Sequence, residues 1–270
     1  MGSLPETECL QLDHANGWLT IWLNRPEARN ALSGEMIAEL RQVLEAVRSD
    51  RSVRGITLRG RGGVFCAGGD LKGFKSVFQG KIQSEADVAA ASRTAGELFG
   101  LLDSTPQVVV MLVEGAAMAG GLGMVCAGDV VVVTEDAKLA LTETTLGIPP
   151  AQIAPFVVQR LGLKTARRLM LTAARFDGQE ALALGLADFV VRDVSGLDDM
   201  EATIRKGVMR CAPGANAVTK DIVLSTGHLD RDAMLDKASA GFAKCMVSEE
   251  GREGISAFFE KRKAAWAVSE

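Results

Sequence analysis

This 270-residue sequence has few histidines, no closely paired cysteines and no long apolar run. Its five cysteines (Cys9, Cys66, Cys126, Cys211 and Cys245) are odd in number and widely spaced, with no Cys-x-x-Cys pair. That pattern argues against a disulfide framework and a zinc knuckle, and fits a reduced cytoplasm. Only two histidines occur, His14 and His228, and no Gly-x-Ser-x-Gly elbow is present, so hydrolysis by an activated serine finds little support. No apolar run approaches the ~18 residues that a membrane span needs. Residues 1–8 lack a basic region followed by an apolar one. Neither secretion nor a membrane partner is expected. A net charge of −4 argues against a broad nucleic-acid surface. Local clusters such as Arg160, Lys164, Arg167 and Arg168 remain able to hold a few phosphate groups.

What is abundant is core. Hydrophobic residues make up 47% and charged residues 24%, the balance of a globular protein able to bury one large interior. Strand-like runs at residues 19–23, 53–58, 108–113, 130–133 and 189–191 alternate with helix-like segments, which reads as α/β. Ser33 caps a first helix whose Met36, Ile37, Leu40, Val43, Leu44 and Val47 recur at three- and four-residue steps, forming one apolar stripe against the sheet. Beyond about residue 195 the strand signal ends. Residues 197–211, 214–224, 230–246 and 249–266 read as helices punctuated by Pro213-Gly214 and Gly227. The expected division is a core over residues 1–195 and a helical region over 196–270 that packs on the core or on another subunit.

Two segments carry the chemistry. Val64-Phe65-Cys66-Ala67-Gly68-Gly69-Asp70 and Glu114-Gly115-Ala116-Ala117-Met118-Ala119-Gly120-Gly121-Leu122-Gly123 each follow an apolar, β-branched run, so each reads as a glycine-rich turn ending a buried strand. Such turns leave backbone N–H groups free. Two of them converging on one point stabilise an oxyanion, and removing one such donor costs about 3–4 kcal/mol of barrier. The chemistry expected is that of an enolate formed from a carbonyl. Gly121-Leu122-Gly123 also opens like a dinucleotide fingerprint with Glu143 about twenty residues on, but the third glycine position holds Cys126 and the match ends there. Glu143 sits among small and apolar residues. An exposed glutamate is the ordinary outcome on composition; if buried, its pKa rises and suits proton transfer near neutral pH.

In order and over nearly the whole chain, several motifs resemble those of the crotonase, or enoyl-CoA hydratase/isomerase, superfamily. They are Leu23-Asn24-Arg25-Pro26, Asn30-Ala31-Leu32, Phe65-Cys66-Ala67-Gly68-Gly69-Asp70-Leu71-Lys72, Ala119-Gly120-Gly121, Glu143 and Phe258-Phe259-Glu260-Lys261-Arg262-Lys263. The resemblance implies an α/β, ClpP/crotonase-like spiral of ββα units followed by a helical C-terminal oligomerisation region. It implies that the N–H groups of Gly69 and Gly120 hold a thioester carbonyl while Glu143 handles the proton at the α-carbon. Ala67, Gly68, Asp70 and Leu71 would line the adenine and pantetheine path of coenzyme A. Arg25 and Arg29, with Phe242 and Lys261 from a neighbouring subunit, would meet the phosphates or the adenine. Read without the family, Lys261-Arg262-Lys263 is a solvated helix end. No metal is implied, and no cofactor, because CoA is part of the acyl-CoA substrate. Assembly would be a homotrimer or a hexamer of paired trimers.

One position departs from the two-glutamate hydratases. Those carry a first catalytic glutamate three residues after the oxyanion glycine, where this chain has Gly123. One-glutamate patterns are similar to enoyl-CoA isomerases and to bacterial hydratases of branched, carboxylated glutaconyl-CoA thioesters. Residues 146–158 and 166–173, with Gly123, resemble the second group. Its members hydrate methylglutaconyl-CoA in leucine breakdown or isohexenylglutaconyl-CoA in acyclic terpene breakdown, and the latter resembles this chain more closely. The resemblance thus implies hydration of 3-isohexenylglutaconyl-CoA to its 3-hydroxy product. Methylglutaconyl-CoA hydration, double-bond isomerisation and non-catalytic acyl-CoA binding are the alternatives. The branch would lie among Leu71, Phe74, Val77, Phe78 and residues 116–118, its free carboxylate near Lys75. Glycine at 123 would leave room for that carboxylate to help place the water.

Overall fold

The computed structural model describes residues 4–70 and 84–267; the expectations placed on Leu71, Phe74, Lys75, Val77 and Phe78 lie outside the described residues. A six-stranded sheet runs in the order β1 (Leu10–Ala15), β2 (Trp18–Leu23), β3 (Gly55–Gly60), β4 (Val108–Val113), β6 (Val130–Thr134), β9 (Phe189–Val191). The β1–β2 pair is an antiparallel hairpin turned by Asn16 and Gly17, both at positive φ (51° and 71°). All other neighbours are parallel. Parallel strands need cover on both faces, and the apolar run of β4 provides for both. Val109, Met111 and Val113 enter the main core, while Val110 and Leu112 enter a second one with Trp18, Val132 and Leu197.

On the main-core side lies α1 (Gly34–Val47), which starts as its sequence requires, with the Met36 N–H donating to Ser33 Oγ at 3.2 Å. Met36, Leu40, Val43, Leu44 and Val47 are buried, with Ile37 packed at their margin. The further helices are α2 (Glu85–Ser104), α3 (Gly120–Cys126), α4 (Ala154–Thr172), α5 (Gly178–Ala183) and α6 (Val194–Met209). Leu197 of α6 closes the second core, and Glu201 beside it accepts from the Thr57 hydroxyl at 2.6 Å.

A smaller sheet places β7 (Lys138–Ala140) between β5 (Ala116–Met118) and β8 (Arg175–Phe176), parallel to the first and antiparallel to the second. Successive strands alternate between the sheets: β4 then β5 then α3, β6 then β7 then α4. This is the spiral of ββα units. Residues 116–118, expected within a turn, are thus a strand, and the strand expected at 53–58 runs Gly55–Gly60. The C-terminal helices α7 (Pro213–Ser225), α8 (Arg231–Met246) and α9 (Glu249–Phe259) follow, the last ending well short of Trp266. The Lys220 ammonium pins α7 to the core, donating to the carbonyls of Thr105 and Gln107 and to the Asp129 carboxylate. All five cysteines are free, and Cys9, Cys66 and Cys126 are buried.

Candidate active site

Three chain segments run side by side in the same direction and leave the small sheet at the same end. Cys66 bridges Ala117 in parallel, and Ala117 pairs with Leu139. Counting forward three residues from Cys66, three from Ala117 and four from Leu139 reaches Gly69, Gly120 and Glu143. The topology therefore gathers the three expected catalytic positions, 74 residues apart in sequence from first to last.

The first donor is set by a second parallel bridge, Leu32 to Gly69. Here the Leu32 N–H donates to Gly68 O at 2.8 Å, and the Asp70 N–H donates to Leu32 O at 3.0 Å. The ladder uses the groups on either side of Gly69, so the Gly69 N–H points the other way. Among the described residues, no acceptor is paired with it or with the Gly120 N–H. Gly120 opens α3 behind Ala119, held at φ 49° and ψ −122°, a conformation that ordinarily belongs to glycine. The Ala119 N–H is committed to Ala140 O at 2.9 Å, which ties this strained turn to β7. Gly68 has φ 99°, and a Cβ there would lie 3.1 Å from both the Ala119 Cβ and Met118 O. Its N–H reaches the sulfur of Cys66 at 3.4 Å, whose thiol burial pushes up to about 12. That thiol is a packing group and a weak acceptor.

Glu143 begins a 3₁₀ turn, Glu143–Leu146, closed by Gly147 at φ 75°. The Thr145 hydroxyl donates to Thr142 O at 2.7 Å and the Thr144 hydroxyl to Met170 O at 3.0 Å, so the turn is fixed from both sides. Composition favoured an exposed side chain. Instead Oε2 is buried and, among the described residues, without a hydrogen-bond partner. Burial raises the carboxyl pKa, offset in part by a hydrogen bond from its own backbone N–H.

Gly123 does not open space. A Cβ at this position would lie 2.2 Å from Ile153 Cγ2, 2.7 Å from Ile153 Cβ and 3.3 Å from Phe99 Cε1. Ile153 and Phe99 are 4% and 6% exposed, so the volume of the missing side chain is already occupied by an apolar wall. The expectation that glycine leaves room here for a substrate carboxylate is therefore overturned. Gly123→Ala is expected to cost about 1–3 kcal/mol through overpacking, read as a lowered Tm; an unchanged Tm would show that Ile153 yields freely.

The other expected residues divide. Ala67, Gly68 and Asp70 lie on the segment of Gly69, and the Ala67 N–H is bound to Arg29 O at 3.0 Å. Arg29 is exposed at φ 51°, with its side chain toward solvent. Arg25 was expected at the phosphates, but its guanidinium is taken up by Ala31 O and the Asp70 carboxylate. Phe242, 69% exposed, and Lys261 lie in the C-terminal helical region, where α8 packs chiefly on α7 and α9. Of the basic cluster, Arg160 is committed to Leu186 O, Gly128 O and Asp188. His14 and His228 are exposed. Sequence reasoning missed Asn30, Phe99 and Ile153. Asn30 was visible only as part of a motif, and nothing in the sequence pairs Phe99 or Ile153 with Gly123.

Strand-borne glycine turns and a desolvated carboxylate on a ββα spiral make this an enzyme of the crotonase class. A model of enoyl-CoA hydratase/isomerase matches residues 13–269, and the chain belongs to that family. It is similar to Pseudomonas aeruginosa AtuE, with a TM-score of 0.93 and 48% identity over 97% of this chain and 100% of that one. An enoyl-CoA hydratase/isomerase from Marinobacter aquaeolei gives a TM-score of 0.92 and 40% identity, covering 96% and 99% of the two chains. The human mitochondrial enoyl-CoA hydratase domain-containing protein 2 is 32% identical over 91% of this chain and 84% of its own length.

Proposed function

We propose that this enzyme hydrates a branched, carboxylated enoyl-CoA, with 3-isohexenylglutaconyl-CoA as the preferred substrate, using Glu143 as its single acid–base group. Two observations carry the single-carboxylate reading: the buried Oε2 of Glu143 has no hydrogen-bond partner among the described residues, and position 123, which has no carboxylate, is filled by the apolar side chains of Ile153 and Phe99. The N–H groups of Gly69 and Gly120 receive the thioester oxygen as negative charge moves onto it. Glu143 takes a proton from water as the water oxygen bonds to the β-carbon, then returns a proton to the α-carbon of the enolate. One water is added and the carboxylate is regenerated. Ala67 and Gly68 line the pantetheine path, and Arg29 reaches the nucleotide phosphates. Phe242 and Lys261 serve a neighbouring copy in a trimer or paired trimers, the 196–270 region acting as the assembly region.

The branched substrate is supported by the resemblance of residues 146–158 and 166–173, and by Gly123. Specificity constants for crotonyl-, methylglutaconyl- and isohexenylglutaconyl-CoA should rise in that order. Each additional methylene of the branch that is buried adds about 0.8 kcal/mol of available binding energy. Preference for crotonyl-CoA rejects the branched class, and preference for the methyl branch reassigns the enzyme to the shorter substrate. The lone carboxylate also suits isomerisation, in which the product mass is unchanged and only the double bond moves; hydration adds one water.

The pH dependence follows from the desolvated carboxyl. Glu143 must be ionised to accept a proton from water, and its pKa is raised. Accordingly kcat/KM should fall as pH drops through a value above the ordinary carboxylate range. A rate that stays flat down through that range would place the essential base elsewhere.

A further inference from the structure

Among the described residues the N–H of Gly69 has no acceptor while its neighbours are held, and the residues that hold them come from one loop. Residues 24–32 run beneath Ala67–Asp70 and bind them at three backbone points: Arg29 O with the Ala67 N–H, the Leu32 N–H with Gly68 O, and Leu32 O with the Asp70 N–H. That loop is itself anchored from inside. Asn30, fully buried, accepts from the Arg25 N–H at 2.8 Å and donates to Arg61 O at 2.9 Å and Val64 O at 2.7 Å. The side chain of Arg25 crosses from this loop directly to the residue after Gly69. Both its Nη1 and Nη2 lie 3.2 Å from Asp70 Oδ2, and Nη1 also donates to Ala31 O at 3.0 Å. The pair is largely shielded, with side-chain exposures of 22% and 16%.

We propose that Arg25 is a positioning residue, fixing the direction of the Gly69 N–H through Asp70 and the loop at Ala31, and is not a phosphate ligand of CoA. The proposal rests on Gly69 being an oxyanion donor. Its logic is geometric: a planar guanidinium can bind the Ala31 carbonyl and the Asp70 carboxylate at once, clamping the two sides of the bridge that Gly69 completes. Such a clamp tells most when charge develops on the substrate oxygen, because displacing a catalytic donor by even ~1 Å can cost up to about 100-fold in rate. A phosphate ligand would act elsewhere, on the affinity for the nucleotide half of CoA.

The test compares Arg25→Gln with the parent enzyme on an enoyl-CoA and on the matching enoyl-pantetheine thioester, which lacks the nucleotide and its phosphates. A positioning role predicts a kcat loss of about tenfold on both substrates, with KM for the CoA ester changed by less than about twofold. Calorimetric binding of free CoA, unchanged in the variant, shows that the fold and the nucleotide site survive. The idea is overturned if KM rises for the CoA ester alone, if free CoA binds more weakly, or if kcat is unaltered on both esters. Gly69→Pro separates the two levels. Full turnover in that variant refutes the donor assignment itself; its loss alongside a normal kcat in Arg25→Gln refutes only the role of Arg25.

Discussion

Glu143→Gln is expected to lower kcat by at least ~100-fold, the scale of a positioned acid–base group, while acyl-CoA binding and the fold persist. Glutamine has nearly the shape of glutamate, so the 3₁₀ turn and its threonine hydrogen bonds to Thr142 O and Met170 O have no reason to change. What changes is the ability to exchange a proton. The buried Oε2 has no hydrogen-bond partner among the described residues, and ionising this group in the folded protein carries a desolvation cost that the neutral amide avoids. The sign follows from linkage. A carboxyl whose folded pKa is raised favours the native state below its unfolded pKa, and that contribution is lost as pH rises through the folded pKa. At neutral pH the variant should therefore have a Tm equal to or above that of the parent. A dead enzyme of undiminished Tm identifies Glu143 as functional; retention of near-parental turnover removes it from the mechanism.

The parts of the molecule that were legible in the sequence are those in which one residue type repeats with a period. The six apolar residues of β4 and the stripe of α1 carry their own structure, because burial on both faces or on one face dictates which positions are apolar. Strands β5, β7 and β8 have only two or three residues each, too few to show a period of two, and their pairing is decided by partners far along the chain. The same distance hid half of the site. The glycine-rich segments around Gly69 and Gly120 were readable from the sequence, but the meaning of Gly123 was not. The sequence displays a missing side chain, and only the fold shows that Ile153, thirty residues later, fills the gap. Arg25 is a parallel case: the sequence shows an arginine in a motif, and only the fold brings Asp70, forty-five residues later, to its guanidinium.

Gly69→Pro should abolish most turnover, by about 100- to 1,000-fold, because proline has no N–H to offer the enolate oxygen. The surrounding hydrogen bonds make this a selective change. Neither bond of the Leu32 bridge uses the Gly69 N–H, since the donors are Leu32 and Asp70 and the acceptors Gly68 and Leu32. The residue before the new proline is Gly68, at φ 99°, which lacks the Cβ that makes a pre-proline position crowded. Ring strain remains the competing explanation, and Gly69→Ala distinguishes it by adding a side chain while keeping the donor. If the donor matters, alanine should retain far more kcat than proline at equal Tm and equal affinity for CoA. Equal losses in both variants would assign the effect to steric disturbance of the Ala67–Asp70 segment. A folded proline variant with normal kcat would mean that the oxygen is held by other groups, Gly120 among them, and that the N–H at Gly69 serves no step of the reaction.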